Sequence, residues 1–173
     1  MRFAYARRLA AGAGLLALAV AVAVHHHFAR PQLLKPGDRI VPLAVTSLEG
    51  TNATLVPAGR PQVLNVFATW CPPCRAEMPA LAKLASQLQQ RGIDVVGIDQ
   101  QEPVSAVAAF ARDFTVPYPV YVDETNVTHD VLGARIIPTT IVIDSSGVIR
   151  WERSGPLDNA DMRELMNAVA SAG

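Results

Sequence analysis

The 173-residue chain has two cysteines, and only two prolines stand between them in Trp70-Cys71-Pro72-Pro73-Cys74. A structural disulfide framework would use several distant cysteines, and a closed zinc site would normally need four ligands. A pair at this spacing closes almost no loop, so as a staple it would contribute little. The chemistry it suits is thiol–disulfide exchange, whose rate depends on thiolate fraction and access. Cys71 falls just before a predicted helix, where unpaired N–H groups and the positive end of the dipole lower a thiol's pKa. Cys71 is therefore the expected nucleophile. Cys74, one turn later on the same side, is the expected resolving thiol.

The elements that must hold this pair can be read from periodicity and turn residues. Val63 to Thr69 is an apolar run of strand length that ends directly at the cysteines. Pro72 to Arg91 then has helical spacing, with Met78, Leu81, Leu84, Ala85 and Leu88 on one face and Gly92 as a stop. Upstream, Ile40 to Leu48 and Thr51 to Val56 predict a hairpin around Glu49-Gly50. Downstream come a strand over 93–98, a helix over 103–114, a strand over 118–122 and a short helix over 127–132 closed by Gly133. Thr139 to Ile143 and Val148 to Trp151 flank the turn Ser145-Ser146-Gly147. A last helix starts at Asp158 as N-cap, with Met162, Leu165, Met166 and Val169 on one face. This order implies an α/β domain with a mixed sheet and helices on both faces. The cysteines lie at the carboxyl end of a strand, where open α/β sheets place their chemistry.

The first 30 residues differ from the rest. Arg2, Arg7 and Arg8 precede an apolar run from Leu9 to Val24, followed by His25, His26, His27, Phe28 and Arg30. A basic start and an apolar run read as a signal anchor or a secretory signal. Sixteen residues of helix rise ~24 Å, slightly short of a ~30 Å hydrocarbon core. Ala21 and Ala23 could equally serve as the small residues of a cleavage site. Either way the arginines keep the N-terminus in the cytoplasm and the remainder is exported. No cysteine ends the apolar run, which excludes a bacterial lipoprotein. The expected division is residues 1–30 as anchor or signal and residues 31–173 as the redox domain.

Half of the residues are hydrophobic, enough for one full core. Four of the 15 basic residues precede Pro31 and all 15 acidic residues follow it, so residues 31–173 are mildly acidic. That balance argues against a nucleic-acid surface. His25 to His27 read as a solvated interfacial triplet, because nothing nearby completes a ligand set. No metal and no cofactor is expected, and the domain is read as a monomer.

The stretch Val63 to Pro79, Val-Leu-Asn-Val-Phe-Ala-Thr-Trp-Cys-Pro-Pro-Cys-Arg-Ala-Glu-Met-Pro, closely resembles the active site of the TlpA/ResA-like thioredoxins. The likeness runs from about Pro36 to Ala170 and includes Gly133-Ala134-Arg135-Ile136-Ile137-Pro138-Thr139. It implies a thioredoxin-like fold with an added N-terminal hairpin, in a membrane-anchored reductase of the bacterial envelope akin to those serving cytochrome c maturation. The implied partners are exported protein disulfides, an upstream membrane electron donor, and the inner membrane through residues 9–24. By the same resemblance Pro138 is the cis-proline facing the cysteines, which with Ile137 presents backbone to substrate. Pro79 is the proline within the active-site helix, and Trp70 is the tryptophan beside the exposed sulfur. Glu77 matches an acidic residue close to the cysteines and could move protons for Cys74. Asn65 stands where cytoplasmic thioredoxins have a buried aspartate, and is read as structural.

His129 could be imagined as a copper ligand of the Sco-like kind, but those proteins use a C-x-x-x-C motif. A peroxiredoxin-type peroxidase fits poorly too, since its cysteine lies in a different setting. The remaining alternatives are a disulfide oxidant or isomerase, and a copper-delivery or metal-binding module. For the direction of exchange, Pro72 and Pro73 lack N–H groups and Arg75 is read as solvated. Cys71 should then be only moderately acidic, nearer the ~7 of thioredoxin than the ~3.5 of DsbA.

Overall fold

The computed structural model describes residues 34–55 and 59–172. The expected membrane segment Leu9 to Val24 and the histidine triplet lie outside the described residues. Among the described residues, no helix is long and apolar enough to cross a membrane.

The elements are β1 (Leu43–Ser47), β2 (Asn52–Leu55), β3 (Gln62–Phe67), α1 (Pro72–Gln89), β4 (Asp94–Gln100), α2 (Val104–Asp113), β5 (Val120–Asp123), α3 (Val127–Asp130), β6 (Thr139–Ile143), β7 (Ile149–Ser154) and α4 (Asn159–Ala170). One sheet of seven strands takes the order β2-β1-β5-β4-β3-β6-β7. β3, β4 and β5 run parallel, which their crossovers through α1 and α2 require. The pairs β1–β2, β1–β5, β3–β6 and β6–β7 are antiparallel.

β3 lies between β4 and β6, and five of its six residues are buried. A strand covered on both faces must be apolar throughout rather than alternating, which explains the unbroken run in the sequence. Val63 and Phe67 pack on one face with Met78, Leu81, Ala85 and Leu88 of α1, Phe110 of α2 and Leu165 of α4. Leu64 and Val66 pack on the other with Ile98, Ile141, Leu132 and Leu43, and Val127 and Val131 of the α3 segment close that side. Each of the Val, Leu, Ile, Met and Phe side chains so buried contributes about 1.5–3 kcal/mol over its exposed state.

Two boundaries have identifiable causes. α1 ends at Gln89, and Gly92 sits just beyond it in the left-handed region at φ 74, which a side chain would strain. α4 begins with a reciprocal capping box: Asp158 accepts from the Asp161 N–H at 2.8 Å, while the Asp161 carboxylate accepts from the Asp158 N–H at 3.0 Å.

Candidate active site

Cys71 is the N-cap of α1, reached by Ala68, Thr69 and Trp70 from the carboxyl end of β3. It forms a disulfide with Cys74. The N-cap position brings the free amides of the first turn toward its side chain. Pro72 and Pro73 have none to offer, and the Arg75 N–H is bonded to the Cys71 carbonyl at 3.1 Å. The Cys74 N–H, 3.3 Å away, is the first-turn amide that reaches the Cys71 sulfur.

The second wall comes from far along the chain. The Ile137–Pro138 peptide bond is cis. The Ile137 carbonyl oxygen lies 3.9 Å from the Cys71 sulfur, so Ile137 and Pro138 do stand beside the pair. β6 starts immediately afterwards and pairs with β3, which fixes that loop against the cysteines. Cys71 is 3 % exposed and Cys74 fully buried, whereas Trp70 is 68 % and Ile136 60 % exposed. Two exposed apolar side chains thus directly precede, in sequence, the buried Cys71 and the Ile137 that stands beside it.

Glu77, one turn after Cys74, is buried at 8 % exposure. Its Oε1 accepts from Asn65 Nδ2 at 3.1 Å and its Oε2 from the Leu157 N–H at 3.3 Å. Burial pushes its pKa above the ordinary carboxylate value, against the opposing pull of those two donors. Asn65 also donates to Thr140 Oγ1 at 3.1 Å, while its own Oδ1 is buried without a partner. Asn65 thus links the Glu77 carboxylate to Thr140 of β6.

Arg75 is not merely solvated, contrary to the sequence expectation. Its Nη1 donates to the Thr69 carbonyl at 3.0 Å, and its guanidinium lies 5.4 Å and 5.0 Å from the ring centroids of Phe110 and Phe114. Pro79, inside α1, has no N–H to return to the Arg75 carbonyl, so the backbone ladder is interrupted one turn after the cysteines. His129 Nδ1 meets its neighbour Asp130 at 2.7 Å.

Sequence reading missed Thr69, Asp99 and Glu102. The Glu102 carboxylate accepts both the Thr69 N–H, at 2.5 Å, and the Thr69 hydroxyl, at 2.6 Å. Asp99 lies fully buried behind it. One signal was available: an aspartate closing an apolar strand next to the cysteine-bearing one, at the carboxyl ends that carry chemistry in such sheets.

A redox disulfide at the amino end of a helix, following an interior strand of a thioredoxin-like sheet, defines a thiol–disulfide oxidoreductase. The AhpC/TSA family matches residues 36–152, more than half of the chain, and the chain belongs to that family within the thioredoxin superfamily. It is 29% identical over 143 residues to the thiol-disulfide oxidoreductase ResA of Halalkalibacterium halodurans, covering 82% of this chain and 81% of that one. It is 36% identical over 112 residues to the thiol:disulfide interchange protein DsbE of Pasteurella multocida, covering 64% and 60%. A putative DsbE from Chlorobium tepidum shares its fold, with a TM-score of 0.72 at 24% identity over 82% of this chain and 99% of that one. The protein is a thiol–disulfide oxidoreductase of the ResA/DsbE type.

Proposed function

We propose that this chain reduces disulfides of exported proteins in the bacterial envelope, held in the inner membrane by residues 9–24 with its redox domain outside the cytoplasm. The Cys71 thiolate attacks one sulfur of a substrate disulfide, forming a mixed disulfide and releasing the other sulfur as a thiolate. The Cys74 thiolate then attacks the Cys71 sulfur. The substrate leaves as a dithiol, and the pair is left oxidised as a Cys71–Cys74 disulfide. A membrane electron donor returns two electrons and completes the cycle. Glu77 takes the Cys74 proton as the resolving thiol becomes a nucleophile. Trp70 supplies an apolar docking lip, and the Ile137–Pro138 backbone pairs with the extended substrate. The domain works as a monomer, on substrates such as those of cytochrome c maturation or metal-centre assembly.

The observation that carries this direction is the scarcity of donors at the Cys71 sulfur, which receives the Cys74 N–H from the first turn at 3.3 Å. A strong oxidant such as DsbA, at about −120 mV, owes its potential to a stabilised reduced form. Pro73, at the second helical position, has no N–H to give that sulfur and withholds that stabilisation here. Equilibration against dithiothreitol or glutathione buffers tests it: a potential below roughly −200 mV is expected, and one near −120 mV would make the chain an oxidant or isomerase. Cys74→Ser should trap mixed disulfides on Cys71, identifiable by mass spectrometry. Recovery of a soluble form beginning near Val24 would replace the anchor with a cleaved signal.

A further inference from the structure

Asp99 is the penultimate residue of β4, in register with Phe67 of β3 and Val122 of β5. It is 0 % exposed. Its Oδ1 accepts from the Glu102 N–H at 3.2 Å, and its Oδ2 is buried without a hydrogen-bond partner. The group that its carboxyl does meet is another carboxyl, that of Glu102. Each Glu102 carboxylate oxygen in turn accepts one bond from Thr69, the N–H at 2.5 Å and the hydroxyl at 2.6 Å, and keeps a second lone pair. The Thr69 carbonyl is taken by Arg75. Every polar group of Thr69 is thus held by side chains 6 or 33 positions away in sequence. The turn that returns Glu102 to Asp99 passes through Gln101 in the left-handed region at φ 62, a conformation kept only where the surroundings enforce it.

The buried Asp99 carboxylate and the half-buried Glu102 carboxylate repel, and the orphaned Oδ2 of Asp99 adds to the cost. One proton removes both faults, since a carboxyl O–H donates where a carboxylate cannot. We propose that Asp99 carries that proton and donates it to Glu102, so that the two act as one positioning unit that fixes Thr69 and, through it, the backbone leading to Cys71. Burial, then the hydrogen bond and the charge of Glu102, raise Asp99 to about 8, with the N–H groups of Glu102 and Thr69 pulling the other way. The unit is therefore intact at neutral pH and comes apart in the alkaline range. Loss of the proton leaves two negative charges under the turn, which weakens the grip on Thr69 and opposes a thiolate at Cys71.

The other charged groups on the surrounding elements are accounted for. Arg75 of α1 bonds Thr69, and Glu77 of α1 bonds Asn65 and Leu157. Asp123 of β5 accepts from the Val127 and Thr128 N–H groups and the Thr128 hydroxyl, and Arg112 and Asp113 lie at the far end of α2. The link to reactivity rests on the reading of Cys71 as the attacking thiol, but the shared proton does not.

The test uses the full chain in its disulfide form, in which neither cysteine titrates. The Thr69 amide resonance, followed by NMR between roughly pH 6 and 10, should shift with a midpoint near 8. Asp99→Asn keeps a side-chain donor for Glu102 and has no proton to lose, so it should abolish that shift. A Thr69 amide that does not move, or that titrates identically in Asp99→Asn, overturns the proposal. In single-turnover exchange at neutral pH, Asp99→Ala should slow the protein about tenfold, the equivalent of one charge-assisted hydrogen bond. Asp99→Asn should recover most of that loss, and equal rates for the two variants would refute the positioning role. Alkylation of Cys74 before Cys71 would reverse the assigned thiol roles while leaving the Thr69 titration in place.

Discussion

Replacing Pro73 by alanine should make Cys71 more acidic and the pair more oxidising, whereas the same change at Pro72 should do neither. Cys71 is the N-cap of α1, which makes Pro72, Pro73 and Cys74 the first three helical positions. An N-cap side chain accepts from the second and third amides, not from the first. The third is already in use, the Cys74 N–H at 3.3 Å. Pro73→Ala supplies the missing second donor, and Pro72→Ala adds an N–H that points elsewhere. A hydrogen bond to a charged acceptor contributes about 1.5–3 kcal/mol. The lower end applies here, because Pro72 and Pro73 are both exposed to water. About 1.5 kcal/mol corresponds to a fall of roughly one unit in the Cys71 pKa. A thiol of pKa ~7 is half ionised at neutral pH, so part of that gain is expressed there and the potential rises by about 20–30 mV. Thiolate absorbance against pH gives the first quantity, and equilibration with dithiothreitol gives the second. An unchanged pKa in Pro73→Ala, or an equal shift in Pro72→Ala, would refute the donor argument.

Glu77→Gln should slow exchange yet stabilise the fold at neutral pH. Burial raises the Glu77 pKa, so the native state binds more protons than the unfolded chain and stability falls as pH rises past the unfolded value of ~4.3. Glutamine has no charge to bury and so removes that loss. Urea unfolding at pH 7 should show the gain, and at pH 4 the two proteins should converge. Asp144→Asn acts in the opposite sense. Burial opposes the Asp144 charge, but donors from Val148, Ser146 and Arg150 outweigh it and hold the pKa at about 2. That contribution is present above the unfolded value of ~3.9 and lost as pH falls through about 2. The variant should lose about 1–2 kcal/mol at pH 7, after allowance for solvent at the Arg150 end, and little near pH 2. Gly97→Ala should destabilise by about 1–3 kcal/mol in thermal unfolding, because its methyl would stand 3.2 Å from Phe67 and 3.3 Å from Val120.

The sequence by itself determined the redox pair, its place at a strand-to-helix junction, and the order of elements around it. These are local properties. An apolar run buried on both faces, a helical stripe and a left-handed glycine are each written within a few consecutive residues, as Val63 to Thr69, Met78 to Leu88 and Gly92 illustrate. Strand ends shifted by a residue or two, as at β4, where the apolar run stops at Ile98 but the pairing continues to Gln100. Hydrogen bonding extends a strand past the point where hydrophobicity marks it. What only the tertiary structure decided is which distant groups meet at the site. Register between β3 and β4 sets Asp99 beside Phe67 and so brings Glu102 under Thr69. Register between β3 and β6 aligns Asn65 with Thr140, and the turn before α4 supplies the Leu157 N–H to Glu77. Arg75 looked like an ordinary solvated helix residue until Phe110 and Phe114, one crossover later, gave its guanidinium rings to lie on. Pairing register depends on the packing of the whole sheet, and no window of local sequence carries it.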